Sequence, residues 1–348
     1  MDSMNWFEKI TGFRETGYDE TRKRLAVNGE WLSSLENGCR YHIGELELIS
    51  LRELRERVLR DAPLNGRMRV RNVTGDVGHM HELPEYNGAV FQVASQFNLL
   101  EMTSPAVTPE EGVTHYEYDR TQGPACAVAA GAATIYRNYF VPVAGSIGQT
   151  SNRQLDGLAD LGNELARRLG GPTTKLWTMR NGYALCHAEG LRRINQHIQS
   201  FDTDENDKLR ELLRIGWHRD VEVTRSDDLQ RPHVSQVFCS ALPVAYVSGV
   251  PSHLWQPFAQ LVLEAAYEAT LWAAVLNARR GKSRTVLLTR LGGGAFGNAD
   301  DWIDAAMSRA LEKASAFDLH VDIVSYRDVP ASMEKLAAAF TRQSSPHE

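Results

Sequence analysis

A run of apolar residues followed by four closely spaced glycines, at residues 285–301, constrains the fold of this chain more than any other segment. The sequence Thr-Val-Leu-Leu at 285–288 predicts a buried strand, and a helix is predicted to begin near Ala299. Glycine permits positive φ and close approach of the backbone to a ligand, and a strand-to-helix turn directs several N–H groups at one point. Residues 292–297 are therefore predicted to hold a phosphate or diphosphate, the alternative being a tight connection without a ligand.

Apolar runs of strand length alternate with segments of helical period along the rest of the chain. Strands are predicted at residues 67–73, 88–94, 234–246 and 319–326, with a strand or hairpin at 178–186, and helices at residues 48–59, 154–169, 189–197, 255–278, 301–317 and 331–340. This alternation is typical of an α/β fold. Because no clean linker divides the chain, we expect an N-terminal helical elaboration at residues 1–66 packed on one main domain at 67–348, with an insertion around 148–233.

The composition argues against several classes of protein. The chain carries 38 Lys and Arg against 44 Asp and Glu, a net charge of −6, and no basic stripe that would bind long nucleic acid. We find no apolar window of transmembrane length and no pattern of a secretory signal. The cysteines form no C-x-x-C pair, which argues against a zinc ribbon or a thioredoxin-type centre and favours reduced thiols in the cytoplasm. We expect no metal, no cofactor and no membrane partner.

Polar residues come directly after the predicted strand at residues 88–94, in the order Ser-Gln-Phe-Asn. Ligand sites of α/β sheets lie at such carboxyl ends of strands. The next segment, residues 101–122, has no periodicity, and long structured loops of this kind are frequently lids or binding loops. Its acidic residues are Glu101, Glu110, Glu111, Glu117 and Asp119. A helix of small residues then opens at Gly123 and Pro124, and its N-terminus is a second candidate site for an anion.

Three short motifs, in this order along the chain, resemble those of the macrodomain superfamily, which binds ADP-ribose and includes the poly(ADP-ribose) glycohydrolases. Gly75-Asp76-Val77 resembles the family's turn after the first strand, where an aspartate contacts the adenine amino group. Residues 89–98 are similar to its apolar strand, which ends in an asparagine, here Asn98, that contacts the distal ribose. Residues 287–298 resemble its diphosphate loop, with Phe296 as the aromatic residue beside that ribose.

The resemblance implies a three-layer α/β/α fold around a mixed sheet, and ADP-ribose or an ADP-ribosylated substrate as the partner. The ligand-binding residues that it implies are Asp76, Val77, Asn98, Gly123, Gly292, Gly293, Gly294, Ala295, Phe296 and Gly297. It also implies hydrolysis of an ADP-ribosyl bond, for which a carboxyl group would protonate the leaving group or activate water.

The sequence departs from the family at the opening of the small-residue helix, where the hydrolytic members carry acidic residues. This chain has Gln122-Gly123-Pro124 there, so a catalytic acid has to come from the preceding loop. Glu117 and Asp119 are ranked first because they lie nearest to the site, with Glu110 and Glu111 behind them, and Asn98 completes the predicted catalytic set.

Two other functions compete with a hydrolase. The missing acidic signature favours a binding module for ADP-ribose or a related nucleotide without any chemistry. The pair Gln122 and Cys126, at the start of a helix, is the arrangement in which thiol hydrolases place an oxyanion donor and a nucleophile. A Rossmann dehydrogenase is disfavoured because the glycine loop lies near the C-terminus and no acidic residue ends the following strand.

Overall fold

Strands and helices alternate along the chain, and the computed structural model describes them for residues 4–60, 66–228 and 230–342. The strands are β1 (Leu25–Asn28), β2 (Trp31–Ser34), β3 (Arg40–His42), β4 (Glu45–Ser50), β5 (Arg69–Thr74), β6 (Val90–Ala94), β7 (Pro142–Val143), β8 (Ser146–Ile147), β9 (Trp177–Arg180), β10 (Tyr183–Cys186), β11 (Arg214–Glu222), β12 (His233–Cys239), β13 (Thr285–Leu288) and β14 (His320–Ser325).

The α-helices are α1 (Trp6–Thr11), α2 (Tyr18–Lys23), α3 (Leu51–Arg60), α4 (Val77–Met80), α5 (Gln122–Ala129), α6 (Gly131–Tyr139), α7 (Ala159–Leu169), α8 (Ala188–Ser200), α9 (Thr203–Arg210), α10 (Gln256–Arg279), α11 (Asp300–Ala314) and α12 (Ala331–Arg342). Short 3₁₀ helices span Pro84–Tyr86, Pro109–Glu111, Thr114–Tyr118, Thr173–Lys175, Val244–Tyr246 and Ser252–Leu254.

The centre of the fold is a mixed sheet of seven strands in the order β4-β11-β12-β6-β13-β14-β5. The five strands from β12 to β5 run parallel, whereas β11 pairs antiparallel with both β12 and β4. The carboxyl ends of the five parallel strands therefore meet at one edge of the sheet, where α/β proteins bind ligands. A smaller sheet joins β1, β2 and β3, and β9 pairs with β10 as a hairpin.

Side chains of the buried strand β6 point alternately to the two faces of the sheet. Val90 belongs to the core beneath α10, and Gln92 donates a hydrogen bond to Thr270 of that helix. Phe91 and Val93 instead pack in the core that includes α4, α5 and α6. This alternation gives the three-layer α/β/α arrangement that the resemblance implies.

Most predicted elements form where the sequence pattern puts them, and β13 matches residues 285–288 without adjustment. The helix predicted at 48–59 is α3, and Ser50 caps it, because its Oγ accepts from the Glu53 N–H while the Glu53 carboxylate accepts from the Ser50 N–H. Two elements are shorter than predicted. The strand expected at 234–246 ends at Cys239, and the helix expected from residue 154 begins at Ala159.

The predicted division at residue 66 is corrected by the sheet. Strand β4, within the expected elaboration, pairs with β11, which lies within the expected insertion, and together they complete one side of the central sheet. The elaboration is also not only helical, since it contains β1, β2 and β3. Residues 61–65 of that segment lie outside the described residues.

The N-terminal segment packs behind the loop at residues 101–122. Trp6 and Phe7 of α1 share a core with Met102 and Tyr116 of that loop and with Leu100 just before it. The Glu15 carboxylate accepts hydrogen bonds from the backbone N–H groups of residues 113 and 114, at distances of 2.9 and 2.7 Å. The first part of the chain therefore fixes the position of this loop.

Candidate functional site

Two adjoining cavities open at the carboxyl ends of the parallel strands, and we call them together the cleft. The larger, of about 700 Å³, lies beyond the ends of β6, β12 and β13, and the smaller, of about 480 Å³, lies beyond the ends of β13, β14 and β5. Thr121, Gln122 and Thr289 line both cavities, so one elongated ligand can occupy the two.

The glycine loop forms one wall of the larger cavity. Gly292 has φ +74°, and the loop is closed by Asn298, whose backbone N–H donates to the Gly292 carbonyl at 2.9 Å and whose side chain donates to the Leu242 carbonyl at 2.9 Å. Within the described parts of the chain, the N–H groups of residues 294, 295 and 296 have no acceptor. Free N–H groups in a loop directly before a helix favour an anion, so the geometry agrees with the predicted cradle.

The loop residues do not all face the cavity. Gly292, Gly294, Ala295 and Phe296 line it. Gly293 and Gly297 do not, because a Cβ at Gly293 would lie 3.0 Å from Ile303 and one at Gly297 would lie 3.0 Å from Ala245. For these two glycines the structure indicates packing rather than ligand contact.

Three aromatic rings surround the end of the larger cavity. Phe296 lies 5.3 Å from Tyr183 and 5.5 Å from Tyr246, measured between ring centroids, and all three line the cavity. The sequence analysis named Phe296 alone. Tyr183 comes from the β9–β10 hairpin and Tyr246 from a 3₁₀ helix after β12, and neither position carries a sequence signal that connects it with the loop.

Asp76 lines the smaller cavity at the end of β5. One of its carboxylate oxygens accepts from the His79 N–H at 3.0 Å and thereby caps α4. Val77 lines the same cavity, and so does Tyr326, a large ring that is 67% exposed at the end of β14. An aspartate oxygen and an exposed aromatic ring are groups that can bind a purine by hydrogen bonding and by stacking.

Asn98 does not line the cleft, contrary to its predicted contact with a ribose. Its side chain is buried, its oxygen accepts from the Leu100 N–H at 3.1 Å, and its nitrogen donates to Gln154 at 2.9 Å. Of the two amide residues that follow β6, it is Gln96, two residues earlier, that lines the larger cavity. Gln96 accepts from the Met102 N–H at 2.7 Å, which fixes the start of the acidic loop.

The two acids ranked first by sequence have different surroundings. Glu117 is half-buried on the 3₁₀ helix at Thr114–Tyr118 and does not line the cleft. Its carboxylate hydrogen-bonds the Tyr118 hydroxyl and thereby raises the pKa of Tyr118. Asp119 does line the larger cavity, and its Oδ1 accepts from the Thr121 N–H at 2.9 Å. Of the acids ranked behind them, Glu110 accepts from Ser151, and Glu111 closes a capping box with Thr108.

Glu101 is the acid that sequence reasoning did not rank. It lines the larger cavity although it is only 2% exposed, and its Oε1 has no hydrogen-bond partner within the described residues. Burial raises the pKa of Glu101 well above that of an ordinary glutamate, and the charge of Asp119 raises it further, while buried Arg137 lowers it. A carboxyl group with a raised pKa keeps its proton to higher pH than an ordinary glutamate and can act as a proton donor.

Gly123 and Gln122 keep this carboxyl at the cavity. The Gln122 side chain accepts from the Ala94 N–H at 2.8 Å and donates to the Gln92 carbonyl at 2.7 Å, which ties the start of α5 to the end of β6. A Cβ at Gly123 would lie 1.9 Å from the Ala94 carbonyl oxygen and 2.3 Å from a Glu101 carboxyl oxygen. The close approach of helix, strand and carboxyl therefore requires glycine.

The surroundings of Cys126 argue against the cysteine-hydrolase alternative. Cys126 is fully buried and does not line the cleft, and burial raises the pKa of its thiol well above the usual value, which suppresses the nucleophilic thiolate. Gln122 does lie beside it, but the Gln122 amide nitrogen, which would have to donate to an oxyanion, already donates to the Cys126 sulfur at 3.3 Å and to the Gln92 carbonyl at 2.7 Å.

Searches for a metal site and for a membrane span gave nothing among the described residues. Within residues 4–60, 66–228 and 230–342, no cluster of three or more His, Cys, Asp or Glu side chains could hold a metal ion. No helix described there has the length and apolar character needed to cross a bilayer.

The fold and the site define an α/β protein with a ligand cleft at the carboxyl ends of its parallel strands. No protein-family model and no curated protein matches the sequence. Solved structures do match. A poly(ADP-ribose) glycohydrolase from Deinococcus radiodurans in complex with ADP-ribose is 14% identical, with 86% of this chain and 93% of that chain covered and a TM-score of 0.41.

A poly(ADP-ribose) glycohydrolase from Thermomonospora curvata is 15% identical, with 92% of this chain and 94% of that chain covered and a TM-score of 0.37. The same enzyme bound to the inhibitor ADP-HPD gives 13% identity over the same shares and a TM-score of 0.38.

Proposed function

We propose that this chain binds ADP-ribose in the cleft and hydrolyses the bond between the distal ribose and the group attached to it. One observation supports this proposal most. The buried carboxyl of Glu101, unpartnered at Oε1 among the described residues, lines the same cavity as the loop whose residues 294–296 have free N–H groups. A cradle for an anion and a proton donor in one cavity fit a substrate with a phosphate on one side of a labile bond.

The proposed ligand extends across both cavities. Its adenine lies in the smaller cavity against Asp76 and Tyr326, and its diphosphate lies against the free N–H groups of the glycine loop. The distal ribose then lies in the larger cavity, beside the rings of Tyr183 and Phe296. Val77 and Gly292 contribute lining, and Gly123 contributes through the space that it leaves for Glu101.

In the proposed reaction, protonated Glu101 gives its proton to the leaving oxygen as the glycosidic C–O bond breaks. Water forms the new C–O bond at the anomeric carbon, and Asp119 takes a proton from that water. Exchange with solvent then returns both carboxyls to their starting states. The products are free ADP-ribose and the group that carried it, now bearing a hydroxyl.

The test is Glu101→Gln, which keeps the size of the side chain and removes its acidic proton. We expect the rate of ADP-ribose release from an ADP-ribosylated serine peptide to fall by about 10²–10⁴-fold. The Kd for ADP-ribose, measured by isothermal titration, should change by less than about threefold, since the cradle is intact. Glu189→Gln, a substitution at an exposed glutamate paired with Arg192 on α8, is the matched control and should behave as wild type.

Unchanged turnover in Glu101→Gln would remove Glu101 from the reaction. Failure of the wild-type protein to bind ADP-ribose at millimolar concentration would remove the ligand assignment as well.

A non-catalytic binding module is the second candidate. The observation in its favour is the opening of α5, where Gly123 and Pro124 stand in place of the acidic residues that the resemblance would supply. Tight binding of ADP-ribose by wild type, without release from peptide substrates linked through serine, glutamate or arginine, would establish this function. The cytoplasmic localisation expected from the sequence stays a prediction.

A further inference from the structure

A buried arginine, Arg137 of α6, packs against the segment between β6 and the loop at residues 101–122. Its side chain is 0% exposed, and its guanidinium lies 3.9 Å from the centroid of the Phe238 ring. It donates to the Leu99 carbonyl at 3.2 Å, to the Thr134 hydroxyl at 2.8 Å and to His218 Nδ1 at 3.3 Å. Within residues 4–60, 66–228 and 230–342, no ion pair joins Arg137 to a carboxylate. The fold therefore holds this guanidinium in place without neutralising its charge directly.

The charge of Arg137 acts on Glu101. Burial lowers the pKa of Arg137 to about 10, and the charge of Glu101 raises it, so the guanidinium stays charged at neutral pH. Burial raises the pKa of Glu101, Arg137 lowers it, and the charge of Asp119 raises it. Arg137 and Asp119 therefore act on the Glu101 carboxyl in opposite directions.

The other titratable side chains that act on Glu101 or Arg137 are neutral at neutral pH. Burial raises the pKa of the hydroxyl or thiol of Tyr116, Tyr183 and Cys126, which come from the loop, β10 and α5. Burial lowers the pKa of His218 on β11 well below its usual value, and the charge of Arg137 lowers it further, so a neutral His218 ring accepts from Arg137. Among the described residues, Arg137 is thus the positive charge that acts on Glu101.

Arg137 also holds the backbone that leads into Glu101. Leu99, two residues earlier, has φ +63°, in the left-handed region that a residue with a side chain adopts only at a cost. The Leu99 N–H donates to the Gln96 carbonyl at 3.0 Å, and its carbonyl accepts from Arg137 Nε. The Glu101 N–H then donates to the Tyr116 hydroxyl at 3.0 Å. These bonds fix the turn from which the Glu101 side chain reaches the cavity.

A general acid has to hold its proton until the bond breaks and then release it to the leaving oxygen. Burial favours the protonated carboxyl, because it disfavours the charged form. A nearby positive charge favours the carboxylate that remains after the proton has left. Arg137 therefore opposes the effect of burial on Glu101.

We propose that Arg137 is a positioning residue for the proposed acid, which fixes the turn before Glu101 and whose charge makes the Glu101 carboxyl release its proton more readily. The role of Glu101 as the acid comes from the proposed function, on which this proposal rests. The effect of Arg137 on the Glu101 carboxyl can nevertheless be measured without any substrate.

The experiment follows the Glu101 carboxyl carbon by NMR as pH rises, in protein labelled with ¹³C at the glutamate side chains. The signal is assigned by its absence in Glu101→Gln. Arg137→Met and Arg137→Gln both remove the charge, and the second keeps an N–H donor for the Leu99 carbonyl, so either variant that folds provides the test. We expect the Glu101 carboxyl to ionise at a higher pH in these variants than in wild type.

Arg137→Lys keeps a positive charge, and its Glu101 carboxyl should ionise at a pH closer to that of wild type. Turnover of an ADP-ribosylated serine peptide gives a second readout. In the neutral variants kcat/KM at pH 7.5 should fall by about tenfold or more, and the basic limb of its pH profile should move to higher pH. A purely structural role of Arg137 would lower kcat without moving that limb. Arg192→Met, at an exposed arginine of α8 paired with Glu189, is the control and should change neither readout.

The proposal is overturned if the Glu101 signal moves at the same pH, or does not move at all, in wild type and in the neutral variants. It is also overturned if turnover falls in those variants while the basic limb stays at the pH of wild type. A wild-type protein that shows the expected NMR difference but releases no ADP-ribose would contradict the proposed function and leave the effect of Arg137 on Glu101 established.

Discussion

At the scale of single residues, the cleft depends on backbone and side-chain contacts so close that an added methyl group would not fit. Gly123 is the clearest case, because the Ala94 carbonyl and the Glu101 carboxyl both occupy the space of a side chain. Glu101 itself is distinguished from the other acids of the loop by burial and not by any sequence motif. Gly123 and Glu101 therefore both contribute to the site through the positions in which the fold holds them.

Gly123→Ala is predicted to destabilise the protein by about 1–3 kcal/mol, because the added methyl group has to displace strand β6 or Glu101. The rate of hydrolysis should fall by more than the loss of folded protein explains, because the methyl group also displaces Glu101, the proposed acid. Chemical denaturation and peptide turnover measure the two effects. Gly294→Ala is the control, since it adds a methyl group in open space. Equal stability of the two variants would contradict the prediction.

The pH profile of kcat/KM tests the proposed acid directly. A proton donor works only while protonated, so activity should be present below the folded pKa of Glu101 and be lost as pH rises through it. Because burial raises that pKa, the basic limb should lie well above the pH at which an ordinary glutamate ionises. The profile of Asp119→Asn should retain this limb. A basic limb at the pH at which an ordinary glutamate ionises would contradict the assignment.

At the scale of elements, the loop at residues 101–122 is held from outside by the N-terminal segment. Glu15 accepts from two backbone N–H groups at its centre and from the Tyr139 hydroxyl at 2.7 Å. Tyr116, in the 3₁₀ helix just after those groups, accepts from the Glu101 N–H at 3.0 Å. A path of hydrogen bonds therefore connects Glu15 with the proposed acid.

Glu15→Gln replaces a charged acceptor by a neutral one that also presents an N–H group to backbone donors. We expect faster hydrogen exchange at the amides of Val113 and Thr114, a loss of stability of about 1.5–3 kcal/mol, and a lower kcat. Glu20→Gln, at an exposed glutamate of α2 paired with Lys23, is the control and should change neither exchange nor turnover. Unaltered exchange at both amides in Glu15→Gln would show that the loop is held by other contacts.

Local patterns in the sequence predict the elements around the glycine loop well. An apolar run before a glycine-rich turn predicts β13, and Ser50 followed three residues later by Glu53 predicts the start of α3. Both signals can be read from the sequence because the residues that interact are close together along the chain. Long-range pairing is not encoded in this way. Nothing near β4 indicates that it joins β11 in the central sheet, so the boundary at residue 66 could not be read correctly.

The same reason explains why the lining of the cleft differs from the residues expected from the sequence. Gln96 and Asn98 are both polar and follow one strand, and only the direction of the backbone after Ala94 decides which of them reaches the cavity. Tyr183 reaches the cavity from a hairpin more than 80 residues after β6. The acid could be assigned to the loop from sequence, but its identity depends on burial, which a pattern of acidic residues does not contain.

At the scale of the whole molecule, the layer of helices opposite α5 is joined by buried ion pairs around α10. Glu268, 1% exposed, bonds Arg55 of α3 and Arg309 of α11, each at 2.7 Å, and Asp207 of α9 bonds the same two arginines. Burial raises the pKa of Glu268, but its bonds to Arg55 and other donors outweigh that effect and leave the pKa below its usual value. A carboxylate with a lowered pKa contributes stability that is lost as pH falls through the folded value.

Buried His81 is predicted to move the onset of acid destabilisation to a higher pH than the ion pairs alone would give. His81 is fully buried. One of its ring nitrogens lies 2.7 Å from the Val77 carbonyl oxygen, and the other lies 3.1 Å from the Gln236 amide nitrogen. A neutral ring satisfies both contacts, because it donates through one nitrogen and accepts through the other. Burial lowers its pKa from 6.5 to about 4, so the unfolded chain binds a proton in this interval that the folded chain does not.

Titration of His81 alone is therefore predicted to lower the free energy of unfolding by up to about 3 kcal/mol between pH 6.5 and pH 4. Urea denaturation at pH 7.5, 5.5 and 4.5 measures this loss. His81→Gln has no titrating side chain at position 81. Whatever the stability of this variant at pH 7.5, its free energy of unfolding should fall less between pH 7.5 and pH 4.5, by most of those roughly 3 kcal/mol. His79→Gln removes an exposed histidine from the same helix and should keep the full loss. The same pH dependence in both variants would mean that the charge on His81 does not control stability in this range.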